Sequence, residues 1–231
     1  MKLKTAIILA GGLGTRLRSA VPDLPKCMAP VAGRPFLAYV MDYYLKQGIE
    51  TFVLSLGYKH ERIRDFIFEQ YPDKDIRIVI ENEPLGTGGA ILNALTATKD
   101  AHVLILNGDT LFKVDADILF QFHVSQKDTC TLALKPMQNF ERYGVVELNE
   151  DATIRSFQEK KQYTRGLING GVYILEKASF LSLSLPIKFS FEKEYLEPYY
   201  SKQKMSGCIQ DCYFIDIGIP EDFTKAQSEL S

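Results

Sequence analysis

The chain has 231 residues, of which 46% are hydrophobic and 24% are charged, and this composition excludes a largely disordered protein. Its formal net charge of −2 argues against nucleic acid or an anionic membrane as the main partner. The four cysteines, at positions 27, 130, 208 and 212, lack zinc-site spacing and are expected to be reduced thiols of a cytoplasmic protein. The amino-terminal apolar run is too short for a signal peptide, and we expect no membrane span.

The first half of the chain alternates short apolar runs with segments of helical period. This alternation predicts strands over 5–9, 51–56, 76–80 and 102–106, and helices over 35–47, 58–70 and 88–98. Strands that are apolar at nearly every position are buried on both faces, and alternation with helices is typical of parallel crossovers. The pattern predicts an α/β fold with a doubly wound, mixed but mainly parallel sheet.

The second half is less regular. Strands are predicted over 131–135, 144–148, 154–159, 168–175 and 213–217, and helices over 115–126, 191–200 and from 220 onward. No Pro/Ser-rich linker, repeat or low-complexity tract divides the chain. We therefore expect one domain over residues 1–231, with a substrate-binding second lobe.

Three glycines, Gly11, Gly12 and Gly14, directly follow the first predicted strand. They lie at the carboxyl end of the sheet, where open α/β folds bind ligands, and their bare N–H groups can approach a polyphosphate closely. A tight turn or a dinucleotide site is the alternative, although Leu17 stands where a GxGxxG motif has its last glycine. A P-loop is excluded because GxxxxGK[ST] is absent. The loop predicts a nucleoside triphosphate site.

Two cations accompany this loop. Arg16 can hold a phosphate through a bidentate fork, and Lys26 is a point charge between Pro25 and Cys27, on a segment that prolines stiffen. An isolated lysine would more often be a solvated surface residue. Its position after the glycine loop favours phosphate binding.

Two aspartates are candidates for binding a divalent metal. Asp109 and Asp216 each come at the end of a predicted strand, where side chains point into the ligand crevice. Carboxylate oxygens together with substrate phosphates suit Mg²⁺. The alternatives are a turn-forming role for Asp109 before Thr110 and a capping or turn role for Asp216.

The ordered motifs resemble those of the sugar-1-phosphate nucleotidyltransferases. They are LAGGLGTRL followed by LPKCMAP, then PLGTGGA (84–90), NGDT (107–110), Glu159-Lys160, NGGVY (169–173) and DIGIPE (216–221). The resemblance covers essentially the whole chain. Within that family, RYGVV (142–146) and FIDIGIPED (214–222) in a short chain resemble most closely the D-glycero-D-manno-heptose 1-phosphate guanylyltransferases.

The resemblance implies a role for each motif, with residues 1–110 as the nucleotide-binding half and 111–231 as the sugar-phosphate-binding half. It implies Mg²⁺ on Asp109 and Asp216. The implied catalytic residues are Arg16, Lys26, Asp109 and Lys160. The implied nucleotide-binding residues are Leu9, Gly11, Gly12, Gly14, Thr15, Arg16, Lys26, Glu81, Gly86, Thr87 and Asp109. The implied sugar-phosphate-binding residues are Tyr143, Gly144, Glu159, Lys160, Asn169 and Gly170.

Plainer interpretations of these motifs remain open. Thr87 can cap the helix that the PLGTGGA glycines begin, and Tyr143-Gly144 can be ordinary strand packing. Glu159, Lys160 and Lys161 can be a solvated charge run. Lys161 also replaces the proline frequent in the family, which leaves the course of that loop open.

The implied reaction is transfer of a nucleotidyl group from GTP to D-glycero-α-D-manno-heptose 1-phosphate, with release of pyrophosphate. A mannose 1-phosphate guanylyltransferase or a uridylyltransferase for another sugar is the nearest alternative. A non-catalytic nucleotide sensor and a dinucleotide-dependent oxidoreductase are alternatives of other classes. Against the oxidoreductase, the chain lacks the third glycine of the GxGxxG motif. Against the sensor, the chain has both candidate metal aspartates, Asp109 and Asp216, and both candidate phosphate-binding lysines, Lys26 and Lys160, which a protein that only binds nucleotides would not need.

Overall fold

A computed structural model describes residues 2–12, 17 and 21–231 of the chain. Its strands, in chain order, are β1 (Thr5–Ala10), β2 (Pro30–Val31), β3 (Arg34–Pro35), β4 (Thr51–Leu56), β5 (Asp75–Ile80), β6 (His102–Asn107), β7 (Thr110–Phe112), β8 (Cys130–Phe140), β9 (Val145–Leu148), β10 (Ile154–Gln158), β11 (Tyr163–Glu176), β12 (Met205–Ile209) and β13 (Phe214–Asp216). Its helices are α1 (Phe36–Lys46), α2 (His60–Gln70), α3 (Gly86–Ala94), α4 (Ala116–Gln126), α5 (Lys177–Leu181), α6 (Glu197–Tyr199) and α7 (Pro220–Glu229).

The centre of the main sheet is parallel. Strand β1 pairs with β4 on one side and with β6 on the other, and β5 continues the sheet beyond β4. Helices connect these strands, because parallel neighbours need a crossover. The predicted doubly wound α/β fold is confirmed, and the predicted strand 51–56 has the bounds of β4.

Beyond β6 the sheet becomes antiparallel. The long strand β11 pairs with β6, β8 and β9, and β10 and β12 form further edges. Over the described residues the main sheet therefore has nine strands. A separate two-stranded sheet joins β7 to β13, from distant parts of the chain.

Both faces of the central strands are covered. In β1, Ile8 packs in the core that contains α1 and α2, whereas its neighbour Ile7 packs in the core that contains α3 and α5. Phe52 and Val53 of β4 divide between the two cores in the same way. Successive strand side chains point to opposite faces, so a strand between two helical layers must be apolar at every position.

Several elements of the second half differ from the prediction. The predicted helix over 191–200 is a π-helical turn (Glu192–Leu196) followed by the short α6. The predicted strand over 131–135 is longer and forms β8, while the strands β7 and β12 and the hairpin β2–β3 were not predicted. The strands β7 and β12 are stabilised by pairing with strands distant in sequence and carry little local pattern, and the two strands of the hairpin have only two residues each. The helices of the described residues reach 11 residues, and none is long and apolar enough to cross a membrane.

Candidate functional site

A cavity of about 510 Å³ opens at the carboxyl ends of β1, β5 and β6. Its wall includes these predicted nucleotide-binding residues: Leu9, Gly11, Gly12, Lys26, Glu81, Gly86, Thr87 and Asp109. The predicted residues Gly14, Thr15 and Arg16 lie outside the described part of the chain. The cavity lies where ligands bind in open α/β sheets, and its volume is in the range of small-molecule sites.

The two predicted metal aspartates lie next to each other. Asp109 directly precedes β7, and Asp216 ends β13, where it is paired with Thr110 in the antiparallel register. The backbone N–H of Ile217 also donates to the carbonyl oxygen of Asp109, with an N to O distance of 3.0 Å. The pairing of β7 with β13 thus brings together two carboxylates that are more than 100 positions apart in the sequence.

Lys26 lies between these carboxylates. It begins a single 3₁₀ turn (Lys26–Met28) after Pro25, and its side chain is only 14% exposed. Its ammonium group donates to Asp109 and lies 3.6 Å from Oδ1 of Asp216. Two acids therefore converge on one cation at the cavity wall.

Asp109, Asp216 and Lys26 form an acid cluster in which the pKa of Asp216 is shifted. Burial raises the pKa of Asp216 above its ordinary value, and the neighbouring Asp109 raises it further, while Lys26 opposes the shift. Burial also raises the pKa of the Cys27 thiol, next to Lys26, to about 12. The thiol is therefore uncharged at neutral pH, and the charge of the cluster comes from its two acids and Lys26.

Asp216 also has the turn role that was left open. Its Oδ1 atom accepts a hydrogen bond from the backbone N–H of Gly218 at 2.7 Å, which forms an Asx turn. The hydroxyl group of Thr110 donates to Oδ1 of Asp109 at 3.3 Å. Both turn roles coexist with the approach of the two acids to Lys26.

Glu81 is a further acid on the cavity wall. It follows β5, and its carboxylate accepts hydrogen bonds from the hydroxyl of Ser55 at 3.0 Å and the backbone N–H of Leu85 at 3.2 Å. A methyl group on Gly11 would lie 2.5 Å from Oε1 of Glu81, so the two residues are in close contact across the cavity floor. The carboxylate is thus held in place before any ligand arrives.

The glycines of the PLGTGGA motif have a packing role that the sequence analysis did not predict. The backbone N–H of Gly88 donates to the carbonyl oxygen of Phe189 at 3.0 Å, and the N–H of Phe189 donates to Leu85 at 2.9 Å. Gly86 has a φ of +73°, and a side chain there would meet the Phe189 carbonyl. The segment before the π-helical turn therefore packs directly against the start of α3.

Thr87 does not cap α3, contrary to the alternative considered above. The helix begins at Gly86, and no side chain caps it. The hydroxyl of Thr87 instead donates to Glu192 at 2.9 Å and accepts from the backbone N–H of Phe191 at 2.8 Å. Thr87 thus ties the start of α3, where Gly86 and Thr87 line the cavity, to the second half of the chain.

The predicted sugar-binding residues do not line the cavity, as far as the described residues show. Tyr143 packs edge to face on Phe214, with ring centres 5.8 Å apart, just before the strand end that carries Asp216. A methyl group on Gly144 would lie 2.6 Å from the Gln158 carbonyl oxygen, so Gly144 is close to the loop after β10. Tyr143 and Gly144 thus connect the aspartates to that loop.

Glu159 and Lys160 lie in this loop, and both are exposed. The carbonyl oxygen of Glu159 accepts a hydrogen bond from the hydroxyl of Tyr163 at 2.9 Å. Their surroundings agree with the solvated charge run, and their substrate roles stay predictions.

Asn169 and Gly170 lie in β11 and serve its local structure. The side chain of Asn169 donates to the hydroxyl of Tyr173 at 2.9 Å and accepts from the backbone N–H of Gly171 at 3.1 Å. A side chain on Gly170 would collide with the ring of Phe112 in β7. Gly170 thus allows β11 to pack closely on β7, and the contact of either residue with a sugar stays a prediction.

Sequence reasoning missed Arg142 and Asp222. They form an ion pair between the segment before β9 and the first turn of α7. Arg142 begins the RYGVV motif and Asp222 ends the FIDIGIPED motif, and membership of these motifs was the local signal that could have drawn attention to them.

The fold and the site together define the class of protein. The profile of the family described as "Nucleotidyl transferase" matches residues 5–231, so the chain belongs to that family. The matched range includes every motif of the sequence resemblance.

Particular relatives are similar over nearly the full length. The chain is 53% identical to a D-glycero-alpha-D-manno-heptose 1-phosphate guanylyltransferase of Aneurinibacillus thermoaerophilus, covering 97% of both proteins. It is 47% identical to the protein of that name from Campylobacter jejuni, covering 94% of this chain and 96% of the relative. A crystal structure of HddC from Yersinia pseudotuberculosis superposes on this chain with a TM-score of 0.90 at 36% identity, and the match covers 99% of this chain and 100% of the other. A second crystal structure shows HddC complexed with GMP-PN.

Proposed function

We propose that this protein transfers a guanylyl group from GTP to D-glycero-α-D-manno-heptose 1-phosphate, forming GDP-heptose and pyrophosphate. The names of its near full-length relatives support both substrates, and the structure of HddC with GMP-PN supports a guanine nucleotide. The observation that carries the proposal is the approach of Asp109 and Asp216 to Lys26, since Lys26 and Asp109 line the cavity.

The chemistry needs alignment and neutralisation of charge. An oxygen of the sugar 1-phosphate attacks the α-phosphorus of GTP in line, the bond from that phosphorus to the α,β-bridging oxygen breaks, and pyrophosphate leaves with the electron pair. The attacking oxygen is already an anion, so no general base is required. Lys26 stabilises the negative charge at the α-phosphate, and Arg16 is proposed to hold the leaving phosphates.

The residues present suit a divalent metal ion. Asp109 and Asp216 already approach one cation, the ammonium group of Lys26, from two sides. Among the described residues no group of three or more acids, histidines or cysteines could hold a metal, so substrate phosphates would complete the coordination, as Mg²⁺ prefers. Bound Mg²⁺ would neutralise charge on the phosphates of both substrates.

Guanine recognition is proposed for Glu81. A carboxylate accepts hydrogen bonds, and guanine offers two neighbouring N–H groups on its pairing edge, whereas adenine offers a ring nitrogen acceptor beside its amino group. The Glu81 carboxylate is held towards the cavity by Ser55 and Leu85. The same loop includes Gly86 and Thr87, which contribute to the wall of the proposed base pocket.

The test is Asp109→Asn, assayed by release of pyrophosphate from GTP and heptose 1-phosphate with Mg²⁺. We expect kcat to fall by about 10²- to 10³-fold, as for loss of one preorganised contact at a transferring group. Asp75→Asn is the matched control, because Asp75 is exposed at the opposite end of β5 and pairs with Arg77. A near-normal rate for Asp109→Asn would remove that residue from the mechanism.

The substrates are tested separately from the mechanism. GTP, ATP and UTP are each combined with heptose 1-phosphate, mannose 1-phosphate and an amino-sugar 1-phosphate, and pyrophosphate is measured. We expect the highest kcat/KM for GTP with heptose 1-phosphate. Binding of GTP without pyrophosphate release in any combination would instead indicate a nucleotide sensor.

A further inference from the structure

Arg142 is a cation beside the acid cluster that no motif assigns to a substrate. Its guanidinium group forms an ion pair with Asp222, and its Nη2 atom lies 4.0 Å from Oδ2 of Asp216. Its Cζ atom lies 5.6 Å from the centre of the Tyr143 ring. The side chain is 32% exposed, so a ligand can reach the guanidinium from solvent.

Arg142 and Lys26 approach different oxygens of Asp216. Lys26 is 3.6 Å from Oδ1 and lies on the nucleotide cavity, whereas Arg142 approaches Oδ2 from the segment that carries Tyr143. The proposed substrates join through their phosphates, so the attacking phosphate must lie between the nucleotide and the sugar. Arg142 occupies the corresponding position in the protein, between the acid cluster and the predicted sugar contacts.

The guanidinium has donors available for a phosphate. Nη1 donates to Asp222, whereas Nη2 is beyond hydrogen-bond distance from Asp216. The planar fork of arginine binds phosphate oxygens through parallel N–H groups, which a lysine does not provide. Asp222 orients one edge of the fork, and among the described residues no hydrogen bond occupies Nη2, which can therefore donate to a ligand.

The charge balance agrees with such a role. Among the residues that the structure describes, three acids, Asp109, Asp216 and Asp222, lie around two bases, Lys26 and Arg142. Once Asp109 and Asp216 bind a divalent cation, Asp222 is the acid that still pairs with Arg142. The guanidinium then keeps its orientation and can attract the dianionic phosphate of a sugar 1-phosphate.

We propose that Arg142 binds the phosphate of the sugar 1-phosphate, and that Asp222 positions its guanidinium group. The inference rests on the proposed function, since it assumes that the second substrate is a sugar 1-phosphate. It adds a binding residue to the reaction: Lys160, for which this role was predicted, is exposed in the loop after β10.

The experiment measures binding of heptose 1-phosphate by titration calorimetry, in the presence of Mg²⁺ and a GTP analogue with a methylene group between the α- and β-phosphorus atoms. Without turnover, the dissociation constant reports binding alone. Arg142→Ala is expected to weaken binding of heptose 1-phosphate by about 10- to 100-fold, the range for losing a hydrogen bond to a charged group. Affinity for the nucleotide analogue should change less than about twofold.

Two further variants separate binding from structural support. Asp222→Asn removes the same ion pair but keeps the guanidinium charge, so we expect it to weaken sugar binding less than fivefold. Arg155→Ala, at an exposed arginine paired with Glu147, controls for loss of a surface arginine and should bind like the wild type.

Each result supports or overturns the inference. Equal losses in Arg142→Ala and Asp222→Asn would show that Arg142 only anchors α7, and unchanged binding in Arg142→Ala would also overturn the inference. Absence of binding to the wild type would overturn it as well. If the wild type binds heptose 1-phosphate but releases no pyrophosphate with GTP, the proposed function fails while the assignment of Arg142 is still decided by the variants.

Discussion

Gly88, in the first turn of α3, tests whether Phe189 holds in place the cavity-lining loop that contains Gly86 and Thr87. A methyl group on Gly88 would overlap the Phe189 ring: its Cζ atom lies 2.6 Å from the ideal methyl position, and two other ring carbons lie nearer. Carbon atoms in contact are normally about 3.5–4.0 Å apart, so the ring would have to move by roughly 1 Å or more. Phe189 is buried against Phe180, and such overpacking costs about 1–3 kcal/mol.

The perturbation should appear in both stability and nucleotide binding. For a chain of this size, 1 kcal/mol corresponds to about 2–4 °C, so we expect Gly88→Ala to lower Tm by about 2–12 °C. It should also raise the KM for GTP, because Phe189 bonds to the loop that carries Gly86 and Thr87 on the cavity wall. Thermal unfolding followed by circular dichroism and steady-state pyrophosphate release measure the two effects.

Gly12→Ala is the matched control. Its methyl group would meet no atom of the described residues within 4 Å, so we expect a change in Tm of less than about 2 °C. Gly12 lines the cavity, however, and its variant should still raise the KM for GTP. A wild-type Tm for Gly88→Ala would refute the reasoning, as would equal losses at the two glycines. Combining Gly88→Ala with Phe189→Leu should recover part of the lost stability.

Two further predictions concern Glu81 and His123. Glu81→Gln should lower the ratio of kcat/KM for GTP to kcat/KM for ATP by about 10-fold or more, because a charged hydrogen-bond acceptor is lost. Steady-state kinetics with both nucleotides measure this ratio, and an unchanged ratio would exclude Glu81 from base recognition. Burial and, to a lesser extent, His102 lower the pKa of His123 to about 4, against about 6.5 in the unfolded chain. Between these values the unfolded chain binds more protons, so the free energy of unfolding should decrease by up to about 3 kcal/mol as the pH falls from 6.5 to 4. The neighbouring Asp128 has a raised pKa and acts in the opposite direction. Urea denaturation at pH 7 and pH 4.5 should show a smaller decrease for His123→Gln than for the wild type, and an equal decrease would contradict the assignment.

Most of the first half of the fold could be predicted because its signals are local. A run of apolar residues buried on both faces predicts a strand, and the predicted strands over 51–56 and 102–106 differ from β4 and β6 by at most one residue. In the second half, β7 and β12 were missed. Each is short and stabilised by a partner distant in sequence, β13 for β7 and β8 for β12. Such pairings leave no periodic pattern in the segment itself.

The candidate site was likewise predictable only in part. The glycines after β1, Lys26 and both aspartates were identified from residue type and motif, because phosphate and metal chemistry require those groups. The contacts of the other glycines were not predictable. Gly88 is explained by the ring of Phe189, about 100 positions later, and nothing near Gly88 in the chain indicates it.

The sequence by itself determined the class of fold, the family and the chemical groups available for phosphoryl chemistry, since these follow from local periodicity and motifs. Only the tertiary structure decided which groups meet. Asp109 and Asp216 are adjacent because β7 pairs with β13, and Arg142 reaches Asp216 because α7 brings Asp222 beside it. These contacts depend on the register and packing of distant segments, which residue types along the chain do not specify.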